Sequence, residues 1–241
     1  LEECRQSMKE LVEKAFSDEI LTARRFHPVV LIAERKRFLA WMDSFLEHEV
    51  AYFEESGFEP SFFESSFGIH KDQQPYVSPS HHKRYPALPV QSDGEQILIG
   101  GRIDRVDCKM VDKKCLVRVV DYKTGLADIS IKDIEEGTAI QIPLYLKAVM
   151  ERILPDGTLY DGVVFSLRDM EIKCFKENRI AVTGQSWKRY IERAVHHACS
   201  AVSGIRKGWF PSGGSCADYC DFKSLCRSAR LVMEHRTHAD S

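Results

Sequence analysis

Residues Ile97–Gly125 read I-L-I-G-G-R-I-D-R-V-D-C-K-M-V-D-K-K-C-L-V-R-V-V-D-Y-K-T-G. Apolar positions recur with a period of two, β-branched residues are frequent, and turn-forming residues bound both ends, which predicts two strands. The first covers I-L-I-G-G-R-I-D-R-V-D and the second L-V-R-V-V-D-Y-K. The lysine-rich segment Cys108–Cys115 between them fits a hairpin loop, so the strands are expected to be antiparallel neighbours. Asp121 and Lys123, two residues apart, leave the same face of the second strand. Asp104 on the first strand is placed to lie beside Asp121 across the ladder. Such a charged trio at the ends of otherwise apolar strands is costly unless it serves a purpose.

Two neighbouring carboxylates repel each other, and a hard divalent cation relieves that repulsion through oxygen ligands. Such a cation also polarises a phosphoryl oxygen and lowers the pKa of bound water. Lys123 would then orient that water or stabilise charge on a phosphate. Alone, D-x-K is more often a solvated ion pair at a strand end; the motifs around it favour the chemical reading. Downstream, Gln141-Ile142-Pro143-Leu144-Tyr145 opens a helix expected to run to about Ile153, and its i, i+4 spacing puts Gln141 and Tyr145 on one face. Thr138-Ala139-Ile140-Gln141 also fits a capping box, a local role for Gln141.

The ordered set G-R-I-D-R-V-D, V-V-D-Y-K-T-G and Q-I-P-L-Y resembles the PD-(D/E)xK nuclease superfamily, in its RecB-like branch. The resemblance implies an α/β fold with a central mixed sheet flanked by helices, a restriction-endonuclease-like core. It implies Asp104 and Asp121 as ligands of Mg²⁺ or Mn²⁺, the Tyr122 carbonyl as a third ligand, and Lys123 as catalytic. Gln141 and Tyr145 would contact DNA beside the metal. Glu64, in F-F-E-S-S-F-G, resembles a glutamate of the family and is either metal-linked or a solvated strand residue. Arg102 is a further candidate for DNA contact. Family members carry an early G-x-x-x-H helix whose histidine also binds metal. That motif is absent here. Because L-E-E-C-R resembles the family's segment just after that histidine, the histidine is expected just upstream. His27, before Pro28, reads as a loop residue at a helix start.

At 241 residues and 44% hydrophobic content the chain can bury one good core. A formal net charge of −2 gives no global basic field of the kind that marks a free-standing nucleic-acid binder. With no apolar run near ~20 residues, no membrane partner is expected; the resemblance implies a cytoplasmic, nucleoid-associated location. Amphipathic periodicity predicts helices over Leu1 to about Ile20 and Pro28 to about Glu55, the latter ended by Gly57, with an aromatic stripe read as core. Residues 69–94 lack periodicity and read as a loop, whose His81, His82, Lys83 and Arg84 either touch phosphates or carry solvated charge. Strands are expected at Tyr160–Leu167 and Glu171–Phe175, then a helix from Ser186 to Gly208. Residues 1–56, 57–185 and 186–241 thus divide into an N-terminal helical part, a nuclease core and a C-terminal helix with tail.

Cys216, Cys220 and Cys226 stand among glycines and small polar residues, a setting in which a loop can wrap one ion or cluster. The tail resembles that of iron–sulfur nucleases of the superfamily, including the AddB component of AddAB-type helicase–nucleases. A [4Fe–4S] cluster with a fourth, upstream cysteine is then implied; Cys4 is the candidate, although it also fits a plain helix face. The spacing C-x₃-C-x₅-C departs from the family's usual C-x₂-C-x₅-C. Zn²⁺ completed by His235 or His238 is the rival. The leading expectation is a metal-dependent exonuclease-type deoxyribonuclease domain with a helicase–nuclease partner subunit, acting in double-strand break repair. A non-catalytic DNA-end-binding module, or a CRISPR-associated or phage-type iron–sulfur exonuclease, is the alternative.

Overall fold

The structure, a computed structural model, describes residues 2–17, 27–68, 84–125 and 130–209. The chain divides into two units at Cys199/Ser200, and the first of them carries the sheet. Helix α1 (Glu2–Ser17) packs on the long helix α2 (Pro28–Ser56). His27 caps α2, its Nδ1 accepting from the Val29 N–H at 3.3 Å.

Strands β1 (Glu59–Phe67), β2 (Arg84–Tyr85), β5 (Gly101–Val111), β6 (Lys114–Lys123), β7 (Thr158–Ser166) and β8 (Glu171–Cys174) form one mixed sheet in the order β2-β1-β5-β6-β7-β8. The β1–β5, β5–β6 and β7–β8 pairs are antiparallel, while β6–β7 is parallel. That parallel step requires a crossover, made by α3 (Ile131–Glu136) and α4 (Gln141–Ala148), with a π-helical turn over Val149–Ile153. Helix α5 (Trp187–Arg206) comes after a 3₁₀ turn at Gly184–Ser186.

The two faces of the sheet are covered differently. Towards α2 point Arg105, Asp107, Val120, Tyr122, Val163 and Phe165, and Phe45 of α2 meets the Tyr122 and Phe165 rings at centroid distances of 6.1 and 5.6 Å. Towards α4 point Asp104, Asp121 and Lys123, together with Gly162. A Cβ at Gly162 would stand 2.3 Å from Ile142 Cγ2, so only glycine lets α4 seat this close.

Three expectations are corrected here. The run I-L-I-G-G-R-I-D is not one strand: it breaks at Gly100 into β4 (Glu95–Ile99) and β5. A Cβ at Gly100 would lie 2.9 Å from the Gly68 carbonyl oxygen, so the chain bends where two backbones touch. Residues 69–94 are not loop throughout: β2 and β3 (Leu88–Ser92) fall within them, and β3 pairs with β4 around an Asp93-Gly94 turn. The D-G dipeptide was the hairpin signal there. Finally, the β5–β6 connector is only Asp112-Lys113, both at positive φ (47° and 66°), so the strands run on through Cys108 and Cys115.

Candidate active site

The β5–β6 ladder pairs Arg105 with Val120. One step further, Asp104 comes opposite Asp121, and the Asp104 carboxylate there accepts the Tyr122 backbone N–H at 3.0 Å. Asp104 is thereby tied to the D-Y-K segment by a charge-assisted hydrogen bond. Beside it the Asp121 side chain is buried, 2% exposed, and its Oδ1 accepts from Gln141 Nε2 at 2.9 Å. Lys123 Nζ lies 2.7 Å from Asp121 Oδ2 and donates to Gln141 Oε1 at 3.0 Å. The Asp121 contact is an ion pair without hydrogen-bond angles, so this buried oxygen keeps an uncommitted lone pair. Burial pushes the Asp121 carboxyl above the usual carboxylate range; Lys123 opposes the shift and the Asp104 charge adds to it.

Gln141 is the hub. Its amide bridges Lys123 and Asp121 and also donates to the Tyr145 hydroxyl at 3.1 Å, which fixes which end is oxygen. The capping expectation for Gln141 is corrected: α4 starts at Gln141, its N-cap Ile140 makes no side-chain cap, and Thr138 donates instead to the Asp133 carbonyl. The capping box of this region belongs to Ser130 and Asp133 on α3. Tyr145 is held edge-on against Phe67, with ring centroids 6.2 Å apart.

Asp104, Asp121, Lys123, Gln141 and Tyr145 therefore meet at one end of the sheet. Glu64 and Arg102 form their own pair on the adjoining strands, Arg102 Nε to Glu64 Oε2 at 2.8 Å. Glu64 lies across from Asp104, between the Phe63↔Arg105 and Ser65↔Ile103 pairs, with φ of 49°, a conformation strained for glutamate. Among the described residues no three His, Cys, Asp or Glu side chains converge on one point. The oxygen donors that do meet, two carboxylates with one buried lone pair uncommitted, suit a hard divalent cation. Cys4 is an exposed thiol on α1. Cys216, Cys220, Cys226, His235 and His238 lie outside the described residues, as do His81, His82 and Lys83.

A family model described as the PD-(D/E)XK nuclease superfamily matches residues 1–227. The chain belongs to that superfamily. The mixed sheet with its flanking helices is the restriction-endonuclease-like core of these proteins. Among curated relatives, the B chain of the ATP-dependent helicase/deoxyribonuclease of Acetivibrio thermocellus is 31% identical over 169 residues, 66% of this chain and 13% of that protein. The protein of the same name from Clostridium novyi is 33% identical over 120 residues, 46% of this chain and 10% of that one. The Listeria innocua counterpart is 26% identical over 189 residues, covering 73% and 14%. The chain thus spans between 10% and 14% of the length of these relatives. Among the described residues no helix is long and apolar enough to cross a membrane.

Behind the site the PD-(D/E)XK core holds a charged cluster that sequence reading missed. Arg105 grips Asp107 with two hydrogen bonds, Nε to Oδ1 at 2.6 Å and Nη2 to Oδ2 at 2.8 Å, and its Nη1 donates to Glu49 Oε2 and to the Tyr122 hydroxyl, both at 2.7 Å. Arg118 pairs with Asp161 in the same two-pronged way and donates to the Tyr52 hydroxyl, which itself donates to Asp107. Burial alone would lower the Arg105 guanidinium, but Asp107, Tyr122 and Glu49 hold it above its ordinary value. Burial pushes the Tyr122 phenol up to about 12. The signal was present in G-R-I-D-R-V-D: with Asp104 on one face, Arg105 and Asp107 must share the other, where helix α2 has to supply their partners.

Proposed function

We propose that this chain is a metal-dependent DNA nuclease domain that hydrolyses phosphodiester bonds at the Asp104–Asp121 end of the sheet. The observation that carries the reading is the convergence of Asp104, Lys123 and Gln141 on the buried Asp121 carboxylate, whose Oδ2 lies 2.7 Å from the Lys123 ammonium. Asp104, Asp121 and the Tyr122 carbonyl would hold Mg²⁺ or Mn²⁺, with Glu64 joining them if it leaves Arg102. Such a cation supplies charge neutralisation at the phosphate and a more acidic bound water. Lys123, held between Asp121 and Gln141, offers its ammonium to the attacking water or to charge growing on the phosphoryl oxygens. Water adds to phosphorus, the bond to the leaving oxygen breaks, and that oxygen takes up a proton. Gln141, Tyr145 and Arg102 border this spot and would grip the DNA backbone, with no base-edge reading.

The relatives' names join helicase and deoxyribonuclease in one ATP-dependent enzyme. They support a role within a helicase–nuclease that has a partner subunit; exonuclease-type action on DNA breaks is the finer part of the proposal and rests on the motif resemblance. The cysteine tail supports a [4Fe–4S] cluster, with exposed Cys4 as candidate fourth ligand and Zn²⁺ as the rival; iron, sulfide and zinc analysis of the purified chain separates the two.

The test is cleavage of linear single-stranded DNA by this chain with Mg²⁺ or Mn²⁺, beside Lys123→Ala. Cleavage that is lost in the variant upholds the reading. DNA binding without cleavage, in this chain and in a form extended upstream, would replace it with a non-catalytic DNA-end-binding module.

A further inference from the structure

We propose that Arg105 is a positioning residue: through the Tyr122 hydroxyl on one face of the sheet it fixes the peptide that aims Asp104 and Asp121 on the other. The inference rests on the reading of Asp104 and Asp121 as a metal site. Tyr122 stands between Asp121 and Lys123, so its side chain leaves the sheet on the face opposite theirs. Its backbone N–H orients the Asp104 carboxylate at 3.0 Å, while its hydroxyl accepts from Arg105 at 2.7 Å. Between those two ends the ring is packed against Phe45 and Phe165, at centroid distances of 6.1 and 5.6 Å. One residue thus joins the carboxylates in front to the guanidinium behind. Arg105 in turn is clamped by Asp107 on its own strand and by Glu49 on α2, and its side chain is 1% exposed.

Stability is a poor reason for this arrangement. A buried ion pair gains little over apolar residues of the same volume, because removing the charges from water offsets their attraction. What a fully hydrogen-bonded buried cluster does supply is a fixed geometry, since any shift of one member leaves another unsatisfied. The geometry it fixes here is that of the D-Y-K strand end. Carboxylates that bind a cation need support behind them to hold their aim. Asp104 has the Tyr122 peptide, Asp121 has Gln141, and Arg105 secures the tyrosine between them.

Tyr122→Phe is the probe, because it removes one oxygen and keeps the ring. Tyr52→Phe is the matched control: its hydroxyl belongs to the same buried cluster but bonds Asp107 and Arg118 and does not reach D-Y-K. The readouts are Mn²⁺ binding by electron paramagnetic resonance, thermal unfolding, and kcat and KM on linear single-stranded DNA. The proposal expects Mn²⁺ binding at least tenfold weaker in Tyr122→Phe, with kcat lowered and the KM for DNA unchanged. Tyr52→Phe should lose comparable thermal stability and bind Mn²⁺ as the unaltered chain does. Unchanged Mn²⁺ binding in Tyr122→Phe, or equal loss in both variants, overturns the positioning role while leaving the nuclease reading intact. An unaltered chain that neither binds Mn²⁺ nor cleaves DNA overturns both.

Discussion

Replacing Arg118 by methionine tests how the buried charges are held. Arg118 and Asp161 bridge β6 and β7 at 2.6 and 2.8 Å, with side chains 10% and 4% exposed. Removing the guanidinium strands a carboxylate among Phe58, Tyr160 and Tyr52, the rings Arg118 now lies against. Breaking one partner of a buried pair costs about 3–5 kcal/mol. Arg118→Met/Asp161→Leu removes both charges at similar volume, and such replacements are neutral or stabilising. The double variant should therefore come within about 1 kcal/mol of the parent, allowing for the lost cation–π contacts. With an m-value of about 3 kcal/mol per M urea, the single variant should unfold at roughly 1–1.7 M less urea. The pH dependence has a definite sign. Burial already raises the Asp161 carboxyl and Arg118 opposes it, so deleting Arg118 raises it further. A folded state that holds this proton more tightly than the unfolded chain gains stability as pH falls, so the single variant's deficit should shrink in acid. A single variant within about 1 kcal/mol of the parent, or a double variant no better than the single, would refute the reasoning.

Other outcomes follow from the same structure. Gln141→Leu removes the amide that holds Lys123 and Asp121, hydrogen bonds to charged groups worth about 1.5–3 kcal/mol; kcat on DNA should fall about ten- to a hundredfold with the helix content unchanged by circular dichroism. Gly162→Ala puts a methyl group against Ile142 and should cost about 1–3 kcal/mol in urea unfolding, with Ile142→Ala in the same chain recovering part of it. Without metal, Asp121→Asn should raise the melting temperature at neutral pH. The folded Asp121 carboxyl sits above its unfolded value of 3.8 because of burial, so the parent loses stability as pH rises from there through the folded pKa, and the amide does not. By the same shift, Mn²⁺ affinity measured against pH should keep rising beyond the usual carboxylate range, because cation and proton compete for that oxygen; a curve that levels off within that range counts against Asp121 as a ligand.

The parts of the fold legible in the sequence are those set by period. Period two across V-R-V-V-D-Y-K gave β6 and the common face of Asp121 and Lys123, and i, i+4 spacing gave the shared face of Gln141 and Tyr145. The parts that were not legible depend on contacts between distant segments. Nothing local says that Gly100 touches the Gly68 carbonyl, yet that contact ends one strand and starts another. Nothing within α2 distinguishes Glu49 from its other acidic residues; only Arg105, 56 positions away, makes it the buried one. The aromatic stripe of α2 read as core, and Phe45 fits that reading, but the most buried positions of the helix are Glu49 and Tyr52.

That last discrepancy bears on how the site works. An apolar helix face would have packed the sheet without fixing the register of any one residue, because apolar contacts tolerate small slides. The bonds from Glu49 to Arg105 and from Arg105 to Tyr122 admit one alignment of α2 over β5 and β6. Since Asp104 precedes Arg105 on β5, and Asp121 adjoins Tyr122 on β6, locking the back of each strand also sets the front. The G-R-I-D-R-V-D motif is then a two-sided device: Asp104 serves the cation and substrate side, while Arg105 and Asp107 hold the strand that presents it. Exchanging Arg105, Asp107 and Glu49 together for apolar residues leaves no charge of that set stranded and should cost little stability in urea unfolding and much DNA cleavage, the reverse of what a packing role predicts.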